Sequence, residues 1–351
     1  MYKVGIIGCG LVAEGQHIPA FLKLRDKVTI QAVCDRDISL VRRVATKYEI
    51  SGAYIDFERM LSMEKLDIAV ICTPPQTHIL LALQAIEHGC HVLLEKPMAL
   101  KATDCDLMIE AAARRGVKLC VVHNMLFNPL ILGARQLVDA GAIGTLTGVR
   151  LLLSDPKEGM ILKQDHWIHK LPGGVLGETG PHAVYTSLAF LRGVAGVEVY
   201  AKSILEHSWA PFDEFSIELE GKRAVSSVTV SYATNRRNFY LDLLGTEGAL
   251  YLDVPSFVMV RQGRKDSMGA LESLRYLSDT AWQTARSAAA YGFARMTGKL
   301  EYGHAVLIRQ FVDGLANGGR LPVTGEEGRD TVRVMESIVR RLNAKYGAVN
   351  G

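Results

Sequence analysis

Residues Lys3 to Ala13 read KVGIIGCGLVA, a β-rich run that ends in Gly8-Cys9-Gly10-Leu11-Val12-Ala13. This is a G-x-G-x-x-A loop, and its place directly after a strand and at the opening of a helix is the geometry that dinucleotide binding needs. Gly8 permits the tight turn, Gly10 lets the backbone approach a pyrophosphate, and Ala13 lets the helix pack closely on the sheet. The helix N-terminus, through Leu11 and Val12, offers free N–H groups and a partial positive charge to phosphates. Asp35 ends the next apolar run, Val28 to Cys34, where a carboxylate accepts from a ribose hydroxyl. That carboxylate favours NAD. Arg36 beside it could attract a 2′-phosphate, which leaves NADP open.

Working outward, the same rhythm repeats. Leu66 to Thr73, His91 to Leu94 and Val117 to Val122 are further strand patterns, and helix-compatible stretches separate them. Strands alternating with helices predict βαβ units and a parallel Rossmann sheet, with residues 1–123 as an NAD(P)-binding domain. After Asn124 the pattern changes to strand runs split by turns such as Gly221-Lys222 and Gly245-Thr246, with helices Ala270 to Met296, Gly303 to Ala316 and Glu326 to Tyr346 following. Residues 124–351 are therefore expected to form an α+β domain with a large open, mainly antiparallel sheet arranged as a meander, one face of which could serve as an interface. The fold class is α/β Rossmann plus α+β.

Composition excludes several classes. The 351 residues are 48% hydrophobic and 22% charged, an ordinary globular balance. Lys and Arg number 40 against 37 Asp and Glu, for a net charge of +3, which argues against a nucleic-acid binder. No uncharged apolar run is long enough for a membrane span, and Met1-Tyr2-Lys3 leads straight into a strand without a secretory pattern. A soluble, cytoplasmic protein with no membrane partner is expected. The six cysteines, Cys9, Cys34, Cys72, Cys90, Cys105 and Cys120, show no Cys-x-x-Cys spacing and read as small core residues.

Two further motifs fall at carboxyl ends of parallel strands, where open α/β sheets bind ligands. They are Thr73-Pro74-Pro75-Gln76-Thr77-His78 and Glu95-Lys96-Pro97. With the glycine loop, Ala140 to Gly144, Gly173-Gly174 before Gly180-x-His182, Gly245 to Gly248 and the Phe311 to Val323 ending, the chain resembles the glucose–fructose oxidoreductase, inositol dehydrogenase and MocA-like (Gfo/Idh/MocA) family along nearly its whole length. The resemblance implies hydride transfer between a nicotinamide and a sugar, sugar derivative or cyclic polyol. It implies Lys96 as catalytic lysine, His182 as acid/base, and a cofactor site including Thr73, Pro74, His78, Glu95 and Lys96. It also implies a homodimer or homotetramer. The chemistry agrees: alcohol oxidation needs a group to take the hydroxyl proton, and an ammonium stabilises charge growing on the carbinol oxygen.

The chain departs from the family pattern in two places. Glu178 stands where an Asp is usual, and Tyr185 where a second Asp is expected. Pro181 suggests that a helix begins there, running from Ala183 to Leu191. Leu126 replaces an arginine that many relatives carry. A glutamate at 178 can still orient His182, which keeps it a catalytic candidate, and Asn124, His166, Trp167, Lys170 and Tyr185 are candidate substrate contacts beside Lys96 and His182. A metal at His166, His169 and His182 lacks supporting spacing, so none is expected. Alternative readings are a redox-neutral sugar-modifying enzyme, a reductase of another carbonyl or imine, and an inactive nucleotide-binding regulator.

Overall fold

A computed structural model describes residues 1–156, 159–263, 269–298, 301 and 303–347. In chain order its elements are β1 (Tyr2–Ile7), a π-helical turn (Ala13–His17), α1 (Ile18–Leu22), β2 (Val28–Cys34), α2 (Ile38–Tyr48), β3 (Gly52–Tyr54), α3 (Phe57–Glu64), β4 (Ile68–Ile71), α4 (His78–Glu87), β5 (His91–Leu94), α5 (Ala102–Arg115) and β6 (Leu119–Val121). Then come α6 (Pro129–Asp139), β7 (Leu146–Pro156), α7 (Leu176–Leu191), β8 (Gly196–Lys202), β9 (Glu214–Glu220), β10 (Val225–Thr234), β11 (Asn238–Gly245), β12 (Gly248–Asp253), β13 (Val258–Gly263), α8 (Ala270–Met296), α9 (His304–Asn317) and α10 (Gly325–Tyr346). The chain divides into two compact units, Met1–Phe127 with Glu301–Arg333, and Asn128–Leu300 with Val334–Gly351.

The first unit holds a six-stranded sheet in the order β3-β2-β1-β4-β5-β6. All its strand pairs are parallel, so the chain reverses direction of travel at β1 and β4, the switch point where such sheets bind ligands. Helices on both faces bury strands completely: Ile68, Ala69, Val70 and Ile71 of β4 are all inaccessible. Local chemistry starts the helices. Asp37 caps α2 by accepting from Ser39 N at 2.8 Å, and Asp56 caps α3 by accepting from Arg59 N at 2.8 Å.

Two expectations need correcting here. The short β3 is a sixth strand that the apolar pattern did not show, because three residues carry too little periodicity. The division at 123/124 also omits a return segment. Helix α9 belongs to the first unit, with Leu307, Ile308, Phe311 and Val312 fully buried and Lys27 Nζ 2.8 Å from Asp313 Oδ1.

The second unit holds a seven-stranded sheet, β13-β12-β11-β7-β10-β9-β8. It is mainly antiparallel, but it is not a meander. Strand β7 lies in the middle, parallel to β10 and antiparallel to β11, because the long segment carrying α7 lets the chain leave β7 and re-enter at the far edge. One face alternates inward with Phe215, Ile217 and Leu219 of β9 and Phe239, Leu241 and Leu243 of β11, and α7 packs on β7 and β10. The opposite positions are polar or half-exposed.

Helix α8 buries no residue and displays Leu271, Trp282 and Phe293. Its Gln283 amide donates to Arg261 O at 2.9 Å and accepts from Arg261 N at 2.8 Å, taking the place of a neighbouring strand on the β13 edge. Lys299, just beyond the helix expected from Ala270 to Met296, lies outside the described residues.

Candidate active site

The glycine loop is built as a cradle. Gly8 has φ of +92°, and a Cβ there would lie 2.7 Å from Cys72 O, so only glycine fits between β1 and β4. Gly10 has no atom within 4 Å of a would-be Cβ, which leaves its backbone open to a ligand. Leu11, at the start of the helix, is 95% exposed while Ala13 is fully buried. A large apolar side chain left bare at a helix N-terminus, beside an open glycine, suits a surface that a dinucleotide covers.

Asp35 completes this edge. Its Oδ2 accepts from Cys9 N at 2.7 Å and its Oδ1 from Asp37 N at 3.0 Å, so the carboxylate is fixed against the loop. Arg36 is exposed beside it. Thr73 Oγ1 lies 2.7 Å from Thr77 Oγ1, and Pro74 is exposed at the mouth of this turn. His78 has a different place from the one expected. It is fully buried, with Nδ1 2.9 Å from Pro97 O and Nε2 2.8 Å from Thr73 O, so it ties the two ligand loops together from beneath. Burial pushes its affinity for a proton down.

Lys96 is half-buried directly after β5. Its backbone N donates to Glu95 Oε2 at 3.1 Å, and Glu95 Oε1 accepts from His17 at 2.8 Å and His304 at 3.1 Å. His17 and His304 were not singled out from sequence. The only signals were a histidine one turn after the glycine loop and another directly behind Gly303. Asn124 opens the 3₁₀ turn Asn124–Phe127 in this unit, and Leu126 is buried in that turn.

In the second unit, α7 starts at Leu176, well before Pro181. The helix was expected from Ala183, but Pro181 lies inside it, where it removes one N–H and crowds the carbonyl four residues back. Buried Tyr232 pins the first turn by donating to Val175 O at 2.7 Å. Glu178 and His182 are thus four residues apart on one helix face. His182 Nδ1 lies 2.6 Å from Tyr185 Oη, with the rings edge-on at 5.5 Å. Tyr185 is 2% exposed, so it braces His182 rather than presenting itself to a substrate. Asp155, at the end of β7, sits 3.5 Å from Thr179 Oγ1 and was missed in the sequence, where no motif contains it.

His166 caps the Trp167–Lys170 turn, with Nδ1 accepting from Ile168 N at 3.4 Å, and its ring lies 5.5 Å from the Trp167 ring. Lys170 is exposed and Trp167 half-exposed. His169 points away, with Nε2 3.1 Å from Lys163 O. All six cysteines are free, and burial pushes Cys9, Cys34, Cys90 and Cys120 up to about 12, so they are poor nucleophiles.

Residues 2–123 match the "Oxidoreductase family, NAD-binding Rossmann fold", and residues 131–251 match the "GFO/IDH/MocA C-terminal domain". The chain belongs to this oxidoreductase family. As a GFO/IDH/MocA protein it carries an NAD-binding Rossmann domain, as the cradle geometry indicates. It is 26% identical to D-apiose dehydrogenase of Paraburkholderia graminis over 99% of this chain and 88% of that protein. D-Glucoside 3-dehydrogenase of Escherichia coli is 31% identical over 41% of each chain. Oxidoreductase P35 of Formosa agariphila is 31% identical over 51% of this chain, and the match spans 57% of that protein. Among solved structures, an Agrobacterium radiobacter oxidoreductase in complex with NAD+, L-tartaric acid and magnesium has a TM-score of 0.78 at 20% identity, covering 99% of this chain and 97% of that one. WlbA dehydrogenase of Bordetella pertussis, in complex with NADH and UDP-GlcNAcA, has a TM-score of 0.77 at 19% identity, covering 99% and 97%. Among the described residues no helix is long and apolar enough to cross a membrane.

Proposed function

We propose that this chain transfers hydride between NAD and a hydroxyl-bearing carbon of a sugar, sugar derivative or cyclic polyol. The observation that carries the reading is the carboxyl edge of the first sheet. There a clamped Asp35, an open Gly10, the Thr73-Pro74 turn and the Glu95-Lys96-Pro97 turn follow β2, β1, β4 and β5, four successive strands of the parallel sheet. Sugar substrates are supported by the names of relatives, D-apiose dehydrogenase and D-glucoside 3-dehydrogenase.

When bound, the nicotinamide supplies the hydride acceptor or donor. The chain's own residues handle the proton and the charge. Lys96 stabilises negative charge on the carbinol oxygen. His182 takes the hydroxyl proton: the tautomer that donates from Nδ1 to the Tyr185 oxygen keeps a lone pair on Nε2 for that purpose. Glu178, on the same face of α7, and Tyr185 orient the imidazole. Asn124, His166, Trp167 and Lys170 contact the substrate, with the indole stacking on a sugar face. The chain works in the cytoplasm as a homodimer or homotetramer through the uncovered face of the second sheet, where Tyr200 is 56% exposed. It takes neither nucleic acid nor membrane as a partner.

The test follows nicotinamide absorbance with aldoses, pentoses, inositols, uronic acids and nucleotide sugars, in both directions and with NAD and NADP. Turnover of at least one sugar or polyol with NAD supports the reading. Tight cofactor binding without net redox change across the panel, with the sugar altered, would replace it by a redox-neutral reaction.

A further inference from the structure

Glu95 sits in a cluster that the proposed reaction does not by itself require. The carboxylate is 6% exposed, and its Oε1 accepts two hydrogen bonds, from His17 Nε2 at 2.8 Å and His304 Nε2 at 3.1 Å. The two imidazoles lie 78 and 209 residues away in sequence and meet edge-on, with ring centres 5.2 Å apart. Both are delivered by backbone irregularities. His17 ends the π-helical turn Ala13–His17, an arrangement that recurs where a side chain must be re-aimed at a functional site. His304 follows Gly303, whose φ of +59° and ψ of −124° are open essentially to glycine alone.

Two donors on one carboxylate oxygen place a hydrogen on each Nε2. His17 Nδ1 is buried and has no hydrogen-bond partner among the described residues, so this imidazole is the neutral tautomer. Burial lowers its proton affinity in the same direction. Burial opposes ionisation of Glu95, but the hydrogen bonds from His17 and His304 outweigh that and hold its carboxyl well below the usual range. The same carboxylate acts on half-buried Cys72 and on buried His78 and His123, and burial keeps both of these histidines from taking a proton readily. The cluster therefore holds an ionised carboxylate against the neutral imidazole of His17, with His304 Nε2 on the same oxygen and Lys96 N on the other.

We propose that His17 and His304 are positioning residues that hold Glu95 as a fixed, desolvated negative charge under the Lys96 turn, and that this charge favours the oxidised, cationic nicotinamide over the reduced, neutral one. The inference rests on the reading that NAD occupies the carboxyl edge of the first sheet. A buried charge is little screened, and it does not relax when the ring loses its positive charge. The three ligand-capable atoms also lie within 4.8 Å of one another, a spacing a divalent cation can use. Distances of 2.8 and 3.1 Å from nitrogen to oxygen are those of N–H···O bonds, and they account for the arrangement without an ion.

The experiment measures dissociation constants for NAD+ and NADH by titration calorimetry at neutral pH. The wild type is compared with His304→Leu, which removes the donor, His304→Gln, which restores an N–H near the Nε2 position, and Glu95→Gln, which removes charge at constant size. The preference for NAD+ relative to NADH is expected to fall about tenfold in Glu95→Gln and His304→Leu, the effect of one pKa unit of coupling. His304→Gln is expected to recover most of it. If His304→Leu fails to fold, Glu95→Gln decides alone. An unchanged ratio in Glu95→Gln overturns the proposal. So does a stoichiometric divalent metal in the purified wild type that His304→Leu lacks. A wild type that binds neither nucleotide overturns the proposed function itself, and this inference with it.

Discussion

Strand β4 of the first sheet is buried at every position, whereas β9 of the second alternates, with Phe215, Ile217 and Leu219 inside and Glu218 and Glu220 outward. The difference decides where each unit can keep its chemistry. A parallel sheet covered on both faces has only its strand ends to offer, so a loop after β1, β4 or β5 is a ligand loop by position. A sheet with one free face fixes no such place. The second unit mounts Glu178 and His182 on a helix laid across its covered face.

That contrast sharpens first at His182. His182→Ala is expected to lower kcat by about 10²–10⁴-fold while leaving NAD affinity within about twofold, because the proposed reaction assigns the proton step to His182 of the second unit and the cradle to the first. A matching loss of NAD binding, read by calorimetry, would break the separation of roles.

At the edge of the first sheet, Gly8→Ala forces a Cβ to 2.7 Å from Cys72 O at a left-handed φ. About 2–4 kcal/mol of stability should be lost in urea unfolding. Gly10→Ala meets no protein atom within 4 Å, so it should unfold like the wild type and lose only cofactor affinity. Equal destabilisation of the two variants would contradict the open cradle.

Acid stability provides a smaller test. Burial lowers the His123 pKa from 6.5 to about 3. Below about pH 6.5 the unfolded chain takes a proton that the native chain refuses, so stability falls as pH drops from about 6.5 toward about 3. The slope from this group is up to about 1.4 kcal/mol per pH unit, with buried His17 and His78 adding in the same direction. His123→Gln should flatten the fall of urea midpoint with pH. An unaltered slope would place the acid sensitivity elsewhere.

Asp35→Ala is expected to weaken NAD binding about tenfold and to narrow the gap to NADP, since Arg36 stays in place. A preference for NAD that survives intact would show that Asp35 serves only Cys9 N and Asp37 N.

Much of the first unit was legible because its chemistry is written in consecutive residues. Gly8 to Ala13, Asp35 and Glu95 to Pro97 each end a strand whose apolar run is itself visible. What stayed hidden was assembled across the chain. His17 reaches Glu95 through a π-helical turn that no local preference announces, and His304 reaches it from a helix expected to lie in the other domain. In the second unit, β7 was readable as a strand but not as the middle one, since register and order depend on long-range pairing. Pro181 pointed to a helix start and concealed the first turn carrying Glu178. Tyr185 looked like a substrate contact, and its burial shows a brace for His182.

The role proposed for Lys96 is charge stabilisation in the hydride-transfer step, beside its place at the cofactor edge. It is tested most directly by a single-turnover experiment with Lys96→Ala, saturated with NAD and mixed with whichever sugar or polyol the wild type turns over. The account expects NAD to bind about as tightly as in the wild type and the rate of nicotinamide reduction to fall by about 10²–10⁴-fold. Reduction at the wild-type rate would contradict it.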